Sequence, residues 1–241
     1  MKAEAVTTAP SAHWLQRATT VRAVAALLAC GCGCATEIGD DPAEPDAADS
    51  TTALHARFSE DFDAASGGAL AAPWIVSSGG ATRASVMETA DHGQTLRVRA
   101  SAVAGDFLIA ARELPETTGD VTVQFTVRPA RGASLVFLLS GSGYASRQLR
   151  LQRAPASGAL VAAAASGNVE CAALAADRWS TVTLALRAAE ARGFDVQVDG
   201  AATRCTDLAM PIDLPLVSLG VMDASNEDWG GDVYWDDFEV R

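Results

Sequence analysis

Histidine, serine and tyrosine supply little catalytic chemistry in this sequence. Three of the 241 residues are histidines, and only His92 falls inside the predicted folded domain. That number is too small for a multi-histidine metal centre. A Ser-His-Asp arrangement would have to use His92, and no G-x-S-x-G elbow accompanies it. A lyase needs a Tyr or His base beside Arg and Gln, and the available candidates are Tyr144, Tyr234 and His92.

Carboxylates are more plentiful, but their spacing does not match glycoside hydrolysis. That reaction on a β-sheet needs two carboxylates about 5 Å apart. The strand motif Glu-x-Asp-x-x-Glu, which would supply them, does not occur in the sequence. The nearest approach is Asp236, Asp237 and Glu239, in a strand predicted to be a terminal edge strand and so outside any groove. We therefore predict that the chain is not an enzyme.

The same carboxylates suit a hard cation. Glu60 and Asp61 near the start of the domain, and Asp236 and Asp237 near its end, are predicted to adjoin, and oxygen ligands of this kind bind Ca²⁺. Strict alternation would place Asp236 on the inward face with Tyr234 and Phe238. Either a cation or backbone N–H groups then satisfy it, or a bulge at Asp236-Asp237 turns it outward. The alternative role of these charges is to protect an edge strand from pairing.

Aromatic residues in loops could contact sugars. Trp229, in Asp228-Trp229-Gly230-Gly231, and Tyr144, in Gly141-Ser142-Gly143-Tyr144, are predicted to lie in loops, where a ring face beside polar groups can bind carbohydrate. Packing over the end of the fold is the alternative for Trp229. The other tryptophans, Trp74, Trp179 and Trp235, are assigned to the core.

The elements that position these residues are predicted to be β-strands. Apolar and polar residues alternate with period two over Leu96–Ala100, Val121–Arg128, Thr181–Arg187 and Phe194–Val198, as in half-buried antiparallel strands. Further strands are expected at Trp74–Ser77, Ser85–Glu88, Phe107–Leu114, Gln148–Arg153 and Ala159–Ala164. Leu135–Leu139 is apolar on both faces, which predicts a central strand that lies under loops or a shallow groove. Many short strands predict a sandwich or barrel.

Three further features fix the topology. Asp199-Gly200 predicts a two-residue turn that joins Phe194–Val198 to Ala201–Thr206. The last strand, Val233–Val240, is expected to pair with Phe58–Asp63, so that the two ends of the domain close the sandwich. Cys171 and Cys205 are predicted to form a disulfide, with two buried free thiols as the alternative.

The order of these features resembles the concanavalin A-like lectin/glucanase jelly roll. The resemblance is carried by Phe58–Asp63, Trp74, Gly93–Val98, Asp177–Leu184, Phe194–Gly200 and Val233–Val240. It implies two facing antiparallel sheets, the concave one often holding a carbohydrate, with the first and last strands as neighbours. It also implies a structural calcium between the terminal strands. Fold likeness does not by itself supply a function.

The N-terminal residues predict export. Arg17 and Arg22 precede the apolar run Ala23–Ala29, and Leu27-Leu28-Ala29-Cys30 resembles the lipobox of bacterial lipoproteins. We expect residues 1–34 to be a signal segment with Cys30 as the lipidated residue, although Cys32 and Cys34 leave the choice of thiol open. An ordinary secreted signal is the alternative. Residues 35–56, rich in Ala, Pro and acidic groups, predict a disordered tether, and residues 57–241 the folded domain.

Composition limits the partners. The formal net charge of −12 provides no basic surface for nucleic acid, and it disfavours docking of the folded part on an anionic membrane. Contact with a membrane is therefore expected only through the N-terminal lipid anchor. The sequence predicts an all-β, non-catalytic, lectin-like module of a cell-envelope lipoprotein that binds glycan or another envelope component. A structural or protein-interaction module without a small ligand and a polysaccharide-active enzyme are the alternatives.

Overall fold

The strand pattern is the principal feature of the folded part. The computed structural model describes residues 57–103, 105–117, 119–142, 148–188, 192–224 and 230–241. These residues form strands β1 Phe58–Glu60, β2 Gly68–Ala69, β3 Ile75–Gly79, β4 Arg83–Thr89, β5 Gly93–Ala100, β6 Phe107–Thr117, β7 Val121–Pro129, β8 Leu135–Gly141, β9 Gln148–Arg153, β10 Ala159–Ala164, β11 Gly167–Ala173, β12 Ser180–Leu186, β13 Gly193–Val198, β14 Ala201–Ala202, β15 Leu208–Ala209, β16 Leu216–Ala224 and β17 Gly231–Val240. No helix in these segments is long and apolar enough to cross a membrane.

The strands form two antiparallel sheets. The ten-stranded sheet has the order β14-β13-β12-β7-β17-β5-β4-β2, with β1 beside β17 and β15 beside β13. The seven-stranded sheet has the order β11-β10-β9-β8-β16-β6-β3. The all-β sandwich predicted from period-two alternation is confirmed.

The two ends of the domain meet as the sequence predicted. Strand β1 is antiparallel to the second half of β17, with Phe58 opposite Val240 and Glu60 opposite Phe238. The first half of β17 pairs with β5 instead. The other side of β17 pairs with β7, so the predicted edge position of the last strand is wrong. Asp199 and Gly200 both have positive φ, 51° and 74°, which is the I′ geometry expected for the turn from β13 to β14.

The core lies between the sheets and follows the alternation. On β7 the side chains of Val123, Phe125 and Val127 are buried, whereas those of Thr122 and Gln124 are half-buried. Leu135, Phe137 and Leu139 of β8 face them from the other sheet and belong to the same core. Burial of apolar surface between two sheets is the main stabilising term of such a fold.

Candidate functional site

A β-bulge in β17 places two carboxylates on the outer face of the ten-stranded sheet. Asp236 lies opposite Thr126 of β7, but Glu239 lies opposite Gln124, so β17 contains one extra residue here. Asp237 takes up the extra residue with φ at +49°. Because an extra residue reverses the alternation, Trp235 and Phe238 both point into the core. The bulge predicted as one of two alternatives is confirmed, and the inward position for Asp236 and Tyr234 is wrong.

Asp236 and Asp237 meet His92, which comes from the turn between β4 and β5. His92 Nδ1 lies 3.2 Å from Asp236 Oδ2 and 3.8 Å from Asp237 Oδ2. One atom from each residue can be chosen so that all three lie within 4.8 Å of one another. Thr126 donates its hydroxyl hydrogen bond to Asp237 at 3.2 Å, which places Asp237 on the outer face with Thr126. We call these three residues the bulge cluster.

Burial dominates the electrostatics of the bulge cluster. The side chain of Asp236 is only 4% exposed. Its burial raises the pKa of Asp236 to about 6; the backbone N–H of Asp237 lowers this pKa and the charge of Asp237 raises it further. A cation, or a proton shared with His92, would relieve the cost of this buried charge.

Neighbouring aromatic rings already have partners. The ring of Trp179 lies 4.1 Å from that of His92, and the Arg128 guanidinium lies 5.1 Å from Trp179 and 4.5 Å from Tyr234. A shallow pocket of about 310 Å³ beside them is lined by Arg128, Asp232 and Tyr234 among others. Trp179 is half-buried and lies outside the core cluster, so its predicted core position is wrong. Since Arg128 and His92 already contact these rings, less of their surface is available to a sugar.

Glu60 and Asp61 are engaged elsewhere. Glu60 accepts a hydrogen bond from Trp74 Nε1 at 3.3 Å and lies 3.6 Å from Arg112 Nη1. Asp61 accepts from the backbone N–H of Asp63 at 3.1 Å. Among the described residues, the side chains close enough to share a metal ion are His92, Asp236 and Asp237. The predicted ligands Glu60 and Asp61 do not belong to this group. The sequence named His92 only as a candidate catalytic residue, because no motif indicated that the turn between β4 and β5 lies beside Asp236, 144 positions away.

The outer face of the seven-stranded sheet has a different character. Strand register aligns residues across the sheet, because directly opposed residues share a face. One row runs through Ile75, Ala111, Gly220, Leu138, Arg150, Ala163 and Asn168. The next row runs through Ser77, Ile109, Met222, Val136, Gln152, Val161 and Glu170. Ala111, Gly220 and Ala163 have small side chains, so the first row projects less from the sheet at these three positions.

Strand β9 supplies the polar groups of this face. Gln148, Arg150 and Gln152 alternate with the core residues Leu149 and Leu151, and their side chains make no hydrogen bond or ion pair in the described part of the chain. Beside them, Val136 and Leu138 are only 3% and 5% exposed although neither belongs to the core cluster. This burial agrees with the prediction that Leu135–Leu139 is a central strand covered on both faces. The alternation in Gln148–Arg153 was the signal for the polar groups.

The two lone cysteines form the expected disulfide. Cys171 in β11 is bonded to Cys205, which follows β14. The bond joins the β11 edge of one sheet to the β13–β14 end of the other. The predicted ligand-binding residues Trp229 and Tyr144 and the predicted lipidation residue Cys30 lie outside the described residues.

Comparison with solved structures places the fold. No protein-family model matches the sequence, and no curated protein matches it. A "Sialidase" is similar with a TM-score of 0.59 and 15% identity, over 77% of this chain and 18% of that one, so the chain spans less than a fifth of its length. An endo-β-1,4-glucuronan lyase from the fungus Trichoderma reesei has a TM-score of 0.53 and 14% identity, over 77% of this chain and 94% of that one.

A third similar structure is the Emp47p carbohydrate recognition domain, with a TM-score of 0.50 and 12% identity, over 76% of this chain and 94% of that one. Similarity at these identities shows the fold and no activity. The concanavalin A-like jelly roll that the sequence resembles is confirmed as the fold of this chain.

Proposed function

We propose that this concanavalin A-like domain is a non-catalytic module that binds a glycan across the outer face of its seven-stranded sheet. The observation that carries the proposal is the set of polar side chains on β9, Gln148, Arg150 and Gln152, which have no partner among the described residues. Sugar hydroxyls hydrogen-bond to planar amide and guanidinium groups.

The chemistry of this face favours binding over catalysis. Amides do not titrate and guanidinium stays protonated near neutral pH, so none of these three side chains is suited to general acid–base work. The similar structures include a carbohydrate recognition domain as well as carbohydrate-active enzymes. They support a carbohydrate ligand as the class and leave the choice between binding and catalysis to experiment.

Isothermal titration calorimetry with glycans found on an array tests the site. We expect Gln152→Ala or Arg150→Ala to weaken binding about tenfold, as expected when a hydrogen bond to a ligand is lost. Gln197→Ala is the matched control, because Gln197 is an exposed glutamine on β13 of the other sheet. Equal loss in Gln152→Ala and Gln197→Ala would contradict this site.

Two outcomes would favour the other functions. The absence of binding to any glycan on the array would favour a structural or protein-interaction module of the envelope. Cleavage of a polysaccharide by the purified domain, abolished by a single carboxylate substitution, would make the domain an enzyme.

We also propose that the bulge cluster binds a divalent cation. Carboxylate oxygens suit Ca²⁺, and an imidazole nitrogen beside two carboxylates suits Zn²⁺. Added Ca²⁺ or Zn²⁺ should raise the melting temperature, and EDTA should lower it. Asp237→Ala should remove the response, whereas Asp61→Ala should retain it. A melting temperature that neither cation nor EDTA changes would overturn the proposal.

Export and anchoring complete the proposed function. We propose that residues 1–34 direct export and that Cys30 carries the lipid, which leaves the domain on a tether of residues 35–56. The Cys171–Cys205 disulfide supports an oxidising compartment. Metabolic labelling with a fatty acid should modify the wild-type protein and leave Cys30→Ser unlabelled. Labelling that persists in Cys30→Ser would assign the lipid to another residue.

A further inference from the structure

A second pocket has none of the bulge-cluster residues in its lining, and none of Gln148, Arg150 and Gln152, whose side of the seven-stranded sheet we call the β9 face. It has a volume of about 340 Å³ and opens where three connecting segments meet at one end of the sandwich. Arg131 and Gly132 follow β7, Ser157 and Gly158 belong to the turn between β9 and β10, and Ala175 follows β11. No acidic residue is among the described residues that line it, in a protein whose formal net charge is −12.

Arg153, the last residue of β9, lines this pocket and is only 3% exposed. Its Nε donates a hydrogen bond to the Leu174 carbonyl at 3.0 Å, and its Nη1 donates to the Ala133 carbonyl at 2.9 Å. These bonds fix the guanidinium without neutralising it. In the part of the chain that the structure describes, no carboxylate forms a salt bridge with Arg153. Buried charges in proteins are normally paired, so this one lacks its usual partner.

The free edge of the guanidinium lies beneath Gly158. Nη2 makes no hydrogen bond to the described residues, and a Cβ added to Gly158 would lie 3.4 Å from it and 3.0 Å from the Leu174 carbonyl oxygen. A side chain there would fill the space next to Nη2. The φ of +73° at Gly158 also favours glycine for the turn itself. The burial that isolates Arg153 lowers its pKa, and the charge of Asp177 partly opposes this effect.

The rim of the pocket adds two further donors. Ser157 accepts a hydrogen bond from the Ala159 backbone N–H at 3.2 Å, which leaves its own O–H free to donate. Arg131 is exposed and forms no ion pair within the described ranges. A planar guanidinium at the base of a pocket, with a hydroxyl and a second guanidinium at its rim, matches the oxygens of a carboxylate or sulfate group.

We propose that this pocket binds an oxyanion, a carboxylate or sulfate group, with Arg153 Nη2 and the Ser157 hydroxyl as direct donors and Arg131 as a second charge. The group could belong to an acidic sugar or to a free inorganic anion. The pocket is separate from the β9 face, so the proposal stands or falls independently of glycan binding there.

Calorimetry and thermal unfolding with sodium sulfate, sodium glucuronate and glucose test the proposal, with sodium chloride at matched ionic strength as the reference. We expect sulfate or glucuronate to bind and to raise the melting temperature above the chloride reference, and glucose to have no effect through this pocket. The tighter of the two anions identifies the source of the oxyanion. No stabilisation by either anion beyond chloride would overturn the proposal.

Single substitutions can distinguish an anion-binding role of Arg153 from a role in stabilising the fold alone. Arg153→Ala breaks two backbone contacts and is expected to destabilise the fold, so Ser157→Ala and Arg131→Ala on the rim are the informative changes. Each should weaken anion binding about tenfold while the anion-free melting temperature changes little. Arg204→Ala, an exposed arginine that lines a different pocket, is the control for a general charge effect. Equal weakening by Arg131→Ala and Arg204→Ala, with none by Ser157→Ala, would overturn the proposal.

Discussion

At the scale of single residues, the environment of Asp236 makes stability depend on pH. Burial raises the folded-state pKa of Asp236 from 3.8 to about 6. The folded protein therefore holds this proton more tightly than the unfolded chain. Between pH 4 and pH 6 the unfolded state releases the proton first, so this carboxylate lowers stability progressively as the pH rises through that window. Above about pH 6 its effect is constant.

We expect Asp236→Asn to remove this pH dependence. The amide cannot ionise, so with EDTA present the variant should be more stable than the wild type at pH 7.5, by about 3 kcal/mol. The difference should disappear below pH 4. Denaturant unfolding across this range measures it, with Asp61→Asn as a control on an exposed aspartate. A variant less stable than the wild type at pH 7.5 would show that His92 and its surroundings stabilise the charged carboxylate more than burial penalises it.

At the scale of elements, the bulge and strand β9 determine what the two outer faces can do. The bulge could be predicted only as an alternative, because two adjacent aspartates do not reveal which one faces the core. The pairing with β7 decides which aspartate faces outward. Trp235 and Phe238 are three positions apart, so both can face the core only if the strand contains one extra residue between them. Alternation in β9 showed which side chains share a face. It could not show that three of them would find no partner among the residues that the structure describes.

The disulfide is the covalent link between elements of the two sheets. It closes a loop of 34 residues, and the chain-entropy model gives about 4 kcal/mol for a loop of that length. We expect the double variant Cys171→Ala/Cys205→Ala to lose roughly this free energy of unfolding in urea. Dithiothreitol should destabilise the wild type by a similar amount and leave the double variant unchanged. An equal effect of dithiothreitol on both proteins would contradict a stabilising role for this bond.

At the scale of the whole molecule, one aromatic cluster ties the ends of the domain to its centre. Phe238, on the last strand, has ring contacts with Phe62, Trp74, Phe125, Phe137 and Trp235, at centroid distances of 5.8–6.5 Å. These rings come from both sheets and from the segments that follow β1. The pairing of β1 with β17 therefore completes the core as well as the backbone hydrogen bonding of β17 beyond β5.

We expect Phe238→Ala to destabilise the domain by about 3–5 kcal/mol, because a ring that is 1% exposed leaves a cavity in contact with five other rings. Phe107→Ala is the matched control. Phe107 is 37% exposed, and its removal should cost less than about 1 kcal/mol. Chemical denaturation of both variants tests the expectation. Similar losses in the two variants would contradict a central place for Phe238.

The sequence by itself determined most of the strands, the faces that the alternating strands bury, the I′ turn at Asp199-Gly200 and the meeting of the two ends, and it predicted the disulfide. These features follow from local periodicity, turn chemistry and the terminal motifs, all of which can be recognised along the chain. Only the tertiary structure decided that His92 meets Asp236, that Trp179 lies outside the core and that Arg153 is buried with no carboxylate partner in the described segments. Period-two alternation specifies which face of a strand is buried, whereas the neighbours of that face depend on the order of strands that are distant in sequence.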